Sequence, residues 1–192
     1  EEAGIVARDI RLPEEIDEGK LLKIITGLND EPNVHGILVQ QPLPSHLSAE
    51  RIVGAVDPQK DVDGFHPVNL GRLMRGQPGL LPCTPAGILK MFDYASIDTL
   101  GKHVVVVGRS LLVGKPVAEL LLQKATPGNA TVTVCHSATP DLGEITRQAD
   151  ILIAAVGRPE YIDGSMVQPG AVVIDVGINR VDDPSRKRGY RL

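Results

Sequence analysis

HVVVVGRSLLVGKP, at residues 103–116, is the stretch of sequence that decides the fold. Its four consecutive valines, Val104 to Val107, are too apolar for a strand with one wet face. They indicate a parallel strand that is buried on both sides. Gly108 ends this run, and Gly114 opens an amphipathic segment that continues to Leu122. A strand, a glycine turn and a helix start predict a phosphate-binding unit, because a helix N-terminus presents backbone N–H groups to an anion.

The glycine spacing of this turn departs from the dinucleotide-binding fingerprint. That fingerprint has three glycines spaced G-x-G-x-x-G, whereas here Ser110 occupies the second position and only Gly108 and Gly114 remain. A pair of glycines also occurs in tight turns that bind nothing. The turn therefore supports a nucleotide site only in combination with the strand that follows it.

The next predicted strand, Thr131 to Cys135, bears on the choice of nucleotide. A Rossmann fold reads the adenosine ribose at the end of this strand, and NAD enzymes usually place Asp or Glu there. This chain has His136 and Ser137 instead, with no acid before Asp141. Arg109 in the glycine turn can reach the same corner, and a guanidinium group suits a phosphate. These residues favour NADP over NAD.

Composition excludes several classes of function. The 192 residues suffice for one large or two small domains, and 42% of them are hydrophobic, so the chain can build a core. With a net charge of −4 and one short basic cluster at residues 186–188, it has no nucleic-acid footprint. Cys83 and Cys135 fit no zinc or redox spacing. No apolar run reaches membrane-spanning length and no signal peptide is seen, so we expect a cytoplasmic protein.

The residues before the valine strand predict a smaller α/β unit with parallel pairing. Ile5 to Leu12 alternates as a strand, and Asp17 can cap a helix with an apolar face. Gly36 to Val39 reads as a second buried strand, and Ser48 starts another helix. Gln40 directly follows the second strand, where open α/β sheets bind their ligands. A polar amide there is also typical of the start of an ordinary loop.

An acidic turn, DVDG at residues 61–64, has two interpretations. Asp61 and Asp63 have the spacing of a calcium loop, but the third oxygen ligand and the bidentate glutamate are missing, so we expect no metal. Asp63 either forms an Asx-turn or faces a cleft and binds a polar ring system by hydrogen bonds. His66 precedes a proline and is placed to cap the following helix.

Later segments set the domain boundary and a second part of the nucleotide site. Thr84 at the cap and Pro85 at the first helical position predict a helix, which places the boundary near Leu81. Two further strands end in Gly157 and Gly177. A tight turn explains each glycine alone, but together they leave room for a flat nicotinamide ring.

Six blocks of this sequence stand out together: GILVQQPLP at 36–44, DVDGFHP at 61–67, PCTPAG at 82–87, VVVVGRSLLVGKP at 104–116, TVTVCHS at 131–137 and VVIDVGIN at 172–179. In this order they resemble one family, the bifunctional methylenetetrahydrofolate dehydrogenase/methenyltetrahydrofolate cyclohydrolases. The resemblance covers nearly the whole chain. It implies an α/β enzyme of two domains, an incomplete N-terminal catalytic and folate-binding domain (residues 1–81) and a Rossmann-like NADP-binding domain (residues 82–192), with a cleft between them.

The resemblance also implies an activity. The enzyme oxidises 5,10-methylenetetrahydrofolate to the methenyl form with NADP, hydrolyses that product to 10-formyltetrahydrofolate, and is typically a homodimer. The family's catalytic glutamine matches Gln40, and its pterin-binding aspartate matches Asp63. Thr84 matches a position on the cofactor side of the cleft. The implied cofactor contacts, beside the strand-end Gly177, are Gly108, Arg109, Ser110, Ser137 and the backbone of Ile178.

The chain departs from the family pattern in three places. Gln41 stands where the family commonly has leucine. The tyrosine and the proton-handling lysine of the family lie on a helix ahead of Glu1, and a glycine- and proline-rich loop is expected after Leu192. We therefore interpret the chain as the middle of a longer protein. Two alternatives stay open: an NADP-linked dehydrogenase of a shikimate-like acid, and a non-catalytic NADP-binding module.

Overall fold

The structure is a computed structural model that describes residues 4–183, 185–186 and 188–191. The chain divides after Val62 into two compact units. The segment from Asp63 to Leu81 thus packs with the second unit. The boundary near Leu81 between a folate-binding and an NADP-binding domain stays a prediction.

The first unit contains two helices, α1 (Glu18–Asp30) and α2 (Ala49–Gly54). The Asp17 carboxylate accepts a hydrogen bond from the backbone N–H of Lys20 at 3.1 Å, and the Ser48 hydroxyl accepts one from Arg51 at 3.3 Å. Both side chains satisfy N–H groups that the first turn of a helix leaves without a partner. The two helix starts predicted from the sequence are confirmed.

A lysine closes the other end of α1. The Lys60 ammonium group donates to three backbone carbonyls, those of Leu28 (3.1 Å), Asn29 (2.6 Å) and Glu31 (2.9 Å). A cation at this position complements the negative end of the helix dipole. The Asn29 side chain in turn donates to the carbonyl of Ala55 at 2.7 Å, which ties α1 to the end of α2.

The strands predicted at residues 5–12 and 36–39 are wrong in this structure. Among the described residues of the first unit, β pairing is limited to one parallel bridge between Ile37 and Asp61. A strand needs a hydrogen-bonded neighbour along its length, and alternating side chains do not provide one. Ile5 and Val6 accordingly remain exposed. The parallel α/β pairing predicted for this unit is therefore reduced to the single bridge.

The second unit is built on a parallel sheet. Its strands are β1 (His103–Val107), β2 (Thr131–Cys135), β3 (Ile151–Ala154) and β4 (Val172–Asp175), in the order β2-β1-β3-β4. The four valines of β1 have no exposed surface, as their run predicts. All four strands lie where the sequence predicts them. However, β3 ends at Ala154 and β4 at Asp175, before the glycines at which the predicted strands end.

Helices cover both faces of this sheet, since successive side chains of a strand point to opposite faces. Val104 and Val106 pack in one core with residues of α4 and α5, whereas Val105 and Val107 pack in another with Ala149. The elements of the second unit outside the sheet are α3 (Pro67–Met74), α4 (Cys83–Tyr94), α5 (Gly114–Leu122), α6 (Leu142–Thr146), a 3₁₀ turn (Gly164–Met166) and a hairpin of β5 (Val181–Asp182) and β6 (Tyr190–Arg191).

Helix α4 begins earlier than predicted. Pro82 is its cap, and the Pro82 carbonyl accepts the first helical hydrogen bond from Ala86 at 3.0 Å. Thr84 is therefore the second helical residue and not the cap, and Pro85 is the third and not the first. Proline is still tolerated there, because the N–H groups of a first turn have no partner within the helix.

Within the described part of the chain, none of the helices combines the length and apolar character needed to cross a membrane.

Candidate functional site at the sheet edge

The strand order creates a crevice at the carboxyl edge of the sheet. From β1 the chain moves outward to β2 and then returns to β3 on the other side of β1. Ligands of open α/β sheets bind at such a switch point, outside the carboxyl ends of the strands. The segments that follow β1, β2, β3 and β4 all emerge at this edge, because the four strands are parallel.

The turn after β1 requires both of its glycines. Gly108 has a φ of +132°, and its backbone N–H extends the sheet by donating to the Cys135 carbonyl at 2.8 Å. A Cβ atom on Gly108 would overlap the carbonyl oxygen of Ala155, and one on Gly114 would overlap the carbonyl oxygen of Gly108. The missing side chains thus allow β1, β3 and the start of α5 to approach closely. Such a cradle fits the pyrophosphate of a dinucleotide.

Ser110 has a structural role that the sequence did not predict. Its hydroxyl accepts hydrogen bonds from the backbone N–H groups of Val113 (3.1 Å) and Gly114 (3.4 Å), and its carbonyl accepts one from Lys115 (3.0 Å). The serine therefore caps the N-terminus of α5 from within the loop. Its contact with a cofactor stays a prediction.

The turn after β2 presents Ser137. The His136 N–H donates to the Thr139 hydroxyl at 2.9 Å, and His136 Nδ1 accepts from the N–H of Ala138 at 3.2 Å. These bonds close the turn and leave Ser137 exposed. Because Val107 and Cys135 are register partners, the exposed Arg109 and Ser137 each lie two residues beyond the paired strand ends.

Cys135, which ends β2, has its thiol in the core. Its side chain is buried, and burial raises the pKa of the thiol above its usual value. A higher pKa favours the neutral thiol over the nucleophilic thiolate at neutral pH. The residue belongs to the core beneath the edge.

The two glycines beyond β3 and β4 differ. Gly157 has open space where a side chain would lie, as predicted for a flat ring. The space at Gly177 is instead taken by the carbonyl oxygen of Val156, so the expectation of open room there is wrong. The Gly177 N–H donates to the Asp175 carboxylate at 3.0 Å. Ile178, which follows, is 82% exposed and leaves its side chain at the surface of this edge.

The turn that carries Asp63 is fixed by its glycine. Gly64 has a φ of +70°, and a Cβ atom there would overlap the backbone at Leu81 and Pro82. Asp61 is buried, whereas Asp63 is only partly buried. His66 caps α3, as the sequence indicates, since its Nδ1 accepts from the N–H of Val68 at 3.1 Å.

Gln40 lies in the first unit, at a cavity of about 660 Å³. The cavity is walled by apolar side chains of α1, among them Leu21 and Ile25. The Gln40 side-chain N–H₂ donates to the backbone carbonyl of Gln41 at 2.8 Å. This bond uses one of the two N–H donors of the amide, and the amide oxygen is an acceptor that can bond a ligand.

The predicted site residues do not all belong to one part of the structure. Gln40 belongs to the first unit, and Asp63 and Thr84 belong to the second, where Thr84 is exposed on the first turn of α4. The residues that share the carboxyl edge of the sheet are Gly108, Arg109, Ser110, Ser137, Gly177 and Ile178.

Gln41 has a buried polar atom that the sequence did not predict. Its side-chain nitrogen is buried and makes no hydrogen bond to the described residues. An unsatisfied buried donor costs about 1–3 kcal/mol of stability. The signal in the sequence was a second amide directly after Gln40, where the resemblance leads one to expect leucine.

Two family profiles match the chain. The first is described as tetrahydrofolate dehydrogenase/cyclohydrolase, NAD(P)-binding domain, and matches residues 82–190. The second is described as the catalytic domain of tetrahydrofolate dehydrogenase/cyclohydrolase and matches residues 1–63. The residues at the carboxyl edge of the sheet all lie within the first of these two matches.

Individual proteins give the same result. The bifunctional protein FolD of Chlorobium phaeobacteroides strain BS1 is 58% identical over 100% of the chain, which spans 65% of that relative. The crystal structure of the bifunctional FolD dehydrogenase/cyclohydrolase of Campylobacter jejuni is 46% identical, with a TM-score of 0.84 over 92% of this chain and 60% of that one. The Trypanosoma brucei enzyme, complexed with NADP and an inhibitor, is 40% identical, with a TM-score of 0.86 over 94% and 61%.

Proposed function

This chain belongs to the tetrahydrofolate dehydrogenase/cyclohydrolase family, and from that premise we propose that its protein oxidises 5,10-methylenetetrahydrofolate with NADP and hydrolyses the methenyl product to 10-formyltetrahydrofolate. The observation that carries the proposal is the glycine cradle at the switch point between β1 and β3. It lies in the part of the chain that matches the NAD(P)-binding domain. We propose residues 1–81 as the folate-binding domain and residues 82–192 as the NADP-binding domain.

The residues at the edge fit NADP. Gly108 and Gly114 make room for the pyrophosphate at the start of α5, and the exposed Ser137 and Arg109 provide a hydroxyl and a cation where the adenosine ribose is read. No carboxylate follows β2 before Asp141, so none stands at the strand end to repel the 2′-phosphate. When bound, the cofactor accepts the hydride.

In the dehydrogenase step, the protein must hold the pterin and nicotinamide rings in contact. The open space at Gly157 and the exposed Ile178 border the place proposed for the nicotinamide, and Thr84 is proposed to line the cofactor side of the folate site. A carboxylate such as Asp63 can fix the pterin by accepting paired hydrogen bonds from its ring N–H groups. Positioning of this kind lowers the barrier to hydride transfer, since it supplies proximity and orientation in advance.

The cyclohydrolase step adds a water and a proton. The attacking water must be oriented towards the methenyl carbon, and a group must take its proton. The Gln40 amide is proposed to orient this reaction. We also propose a homodimer and a cytoplasmic location, as the resemblance and the composition predict.

Turnover tests the proposed function directly. We expect the protein expressed from its complete gene to form NADPH with 5,10-methylenetetrahydrofolate and not with shikimate. Binding of NADP without turnover of the folate would contradict the proposal, as would turnover of shikimate alone.

Arg109→Ala should weaken NADP binding about tenfold or more and change NAD binding much less, because a lost charge-assisted hydrogen bond costs roughly 1.5–3 kcal/mol. The measurement is the dissociation constant of each nucleotide by fluorescence titration. Lys124→Ala is the matched control, since it removes an exposed positive charge just beyond the other end of α5. Equal losses for NADP and NAD would show that Arg109 does not read the 2′-phosphate.

Asp63→Asn should weaken tetrahydrofolate binding about tenfold and impair both activities, because the amide accepts fewer and weaker bonds from the pterin. Its melting temperature should change by less than about 2 °C. Asp61→Asn is the control in the same turn. Asp61 is buried, so this variant should lower the melting temperature by several degrees. A large stability loss for Asp63→Asn with normal folate affinity would assign Asp63 to the turn.

A further inference from the structure

The turn after β2 is held by one residue, His136. Its carbonyl accepts a hydrogen bond from the N–H of Thr139 at 2.9 Å, which closes a four-residue β-turn. Its own N–H donates to the Thr139 hydroxyl at 2.9 Å, and its Nδ1 accepts from the N–H of Ala138 at 3.2 Å. The imidazole thus bonds the backbone two residues on, as the carboxylate of an Asx-turn does. These three bonds fix the backbone of the two residues inside the turn.

The same turn is tied to the glycine cradle after β1. The N–H of Gly108 donates to the carbonyl of Cys135 at 2.8 Å, and Cys135 directly precedes His136. Ser137 is the second residue of the turn and is exposed. Among the residues that the structure describes, neither the N–H nor the hydroxyl of Ser137 has a hydrogen-bond partner. Two donors are therefore held ready at the end of β2, where a Rossmann fold reads the adenosine ribose.

We infer that His136 is a positioning residue for NADP, which locks the turn so that the N–H and hydroxyl of Ser137 meet the 2′-phosphate of the cofactor; this rests on the proposed function. His136 acts through Ser137 and does not itself touch the cofactor. A turn without the lock samples other shapes, and the need to order it on binding lowers the affinity. NAD has no 2′-phosphate, so its binding depends much less on the lock.

The test is His136→Phe in the protein expressed from its complete gene, because phenylalanine keeps a flat ring and removes the acceptor. The dissociation constant for NADP, measured by fluorescence titration, should rise about fivefold, and that for NAD should change by less than about twofold, since one ordinary hydrogen bond is lost. Retained NAD binding also shows that the variant is folded at this edge. His136→Asn keeps an acceptor for the N–H of Ala138 and should restore NADP binding to within about twofold of the parent.

Two further variants separate the lock from a general loss of stability. Thr139→Val removes the hydroxyl that accepts from the His136 N–H, so it should weaken NADP about threefold and spare NAD. His66→Phe is the matched control, because His66 Nδ1 also accepts from the N–H two residues on, that of Val68, but at the start of α3. This control should lower the melting temperature and leave the ratio of the NADP and NAD dissociation constants unchanged.

Three results would overturn the inference. The first is a His136→Phe variant that keeps the parent's preference for NADP. The second is a His136→Asn variant as weak as His136→Phe, since the ring and not its bond would then matter. The third is unchanged NADP binding in Thr139→Val. If the parent itself does not prefer NADP to NAD, the proposed use of NADP falls together with the inference, and this outcome is distinct from the other three.

Discussion

Gly108→Ala should destabilise the second unit by about 3 kcal/mol or more and abolish measurable NADP binding. Two effects add at this position. The φ of +132° is strained for any residue with a side chain, and the new Cβ atom would overlap the carbonyl oxygen of Ala155 on the neighbouring strand segment. Relief requires β1 and β3 to separate at the edge where the cofactor is proposed to bind. Urea unfolding and NADP titration measure the two effects.

Gly157→Ala is the control for this prediction. Gly157 follows β3 at the same edge, but it has open space within 4 Å of an added Cβ atom. Its stability should stay within about 0.5 kcal/mol of the parent, as for most substitutions that meet no neighbour. A Gly108→Ala variant as stable as Gly157→Ala would show that the turn after β1 can relax to hold a side chain. The close approach at Gly108 would then no longer support a pyrophosphate site.

Gln40→Ala should damage the cyclohydrolase more than the dehydrogenase, by roughly 2 kcal/mol or more of activation free energy. Hydride transfer mainly needs the two rings in contact, whereas hydrolysis also needs a placed water and a moved proton. An amide can orient these groups but cannot itself take the hydride. The two rates are followed separately with NADP saturating, as NADPH formation and as decay of added methenyltetrahydrofolate.

Gln59→Ala provides the comparison for Gln40. Gln59 is exposed in the same unit, and removing its side chain should leave both rates unchanged. If Gln40→Ala lowered the dehydrogenase while methenyl hydrolysis remained intact, Gln40 would serve hydride transfer and the proposed division between the two steps would be wrong.

Features set by neighbouring residues were predictable from the sequence. The four valines of β1 indicate a strand buried on both faces, because a short β-branched run that ends at a glycine is typical of a parallel strand in the middle of a sheet. Asp17, Ser48 and His66 cap their helices as expected, since a cap depends on N–H groups two or three residues away. The glycine turn after β1 was likewise predictable.

Features set by distant residues were not predictable. Residues 5–12 alternate as a strand does, but alternation does not show whether a hydrogen-bonded partner is present. Gly177 appeared to leave space for a ring, yet that space is filled by the carbonyl of Val156, which precedes it by 21 positions in sequence and is adjacent only in the folded sheet. The buried amide of Gln41 needed the structure for the same reason, because burial depends on the whole unit.

The central claim is that one protein removes a hydride from the methylene carbon of a folate and then hydrolyses the same carbon. Tetrahydrofolate carrying a dideuterated 5,10-methylene group tests it most directly, with both products analysed by mass spectrometry. One deuterium should appear in NADPH and the other in the formyl group of 10-formyltetrahydrofolate, because oxidation removes one and hydrolysis retains one. Reduced cofactor without deuterium would contradict the account. So would a deuterated methenyl product that is hydrolysed to 10-formyltetrahydrofolate no faster with the protein than in buffer alone.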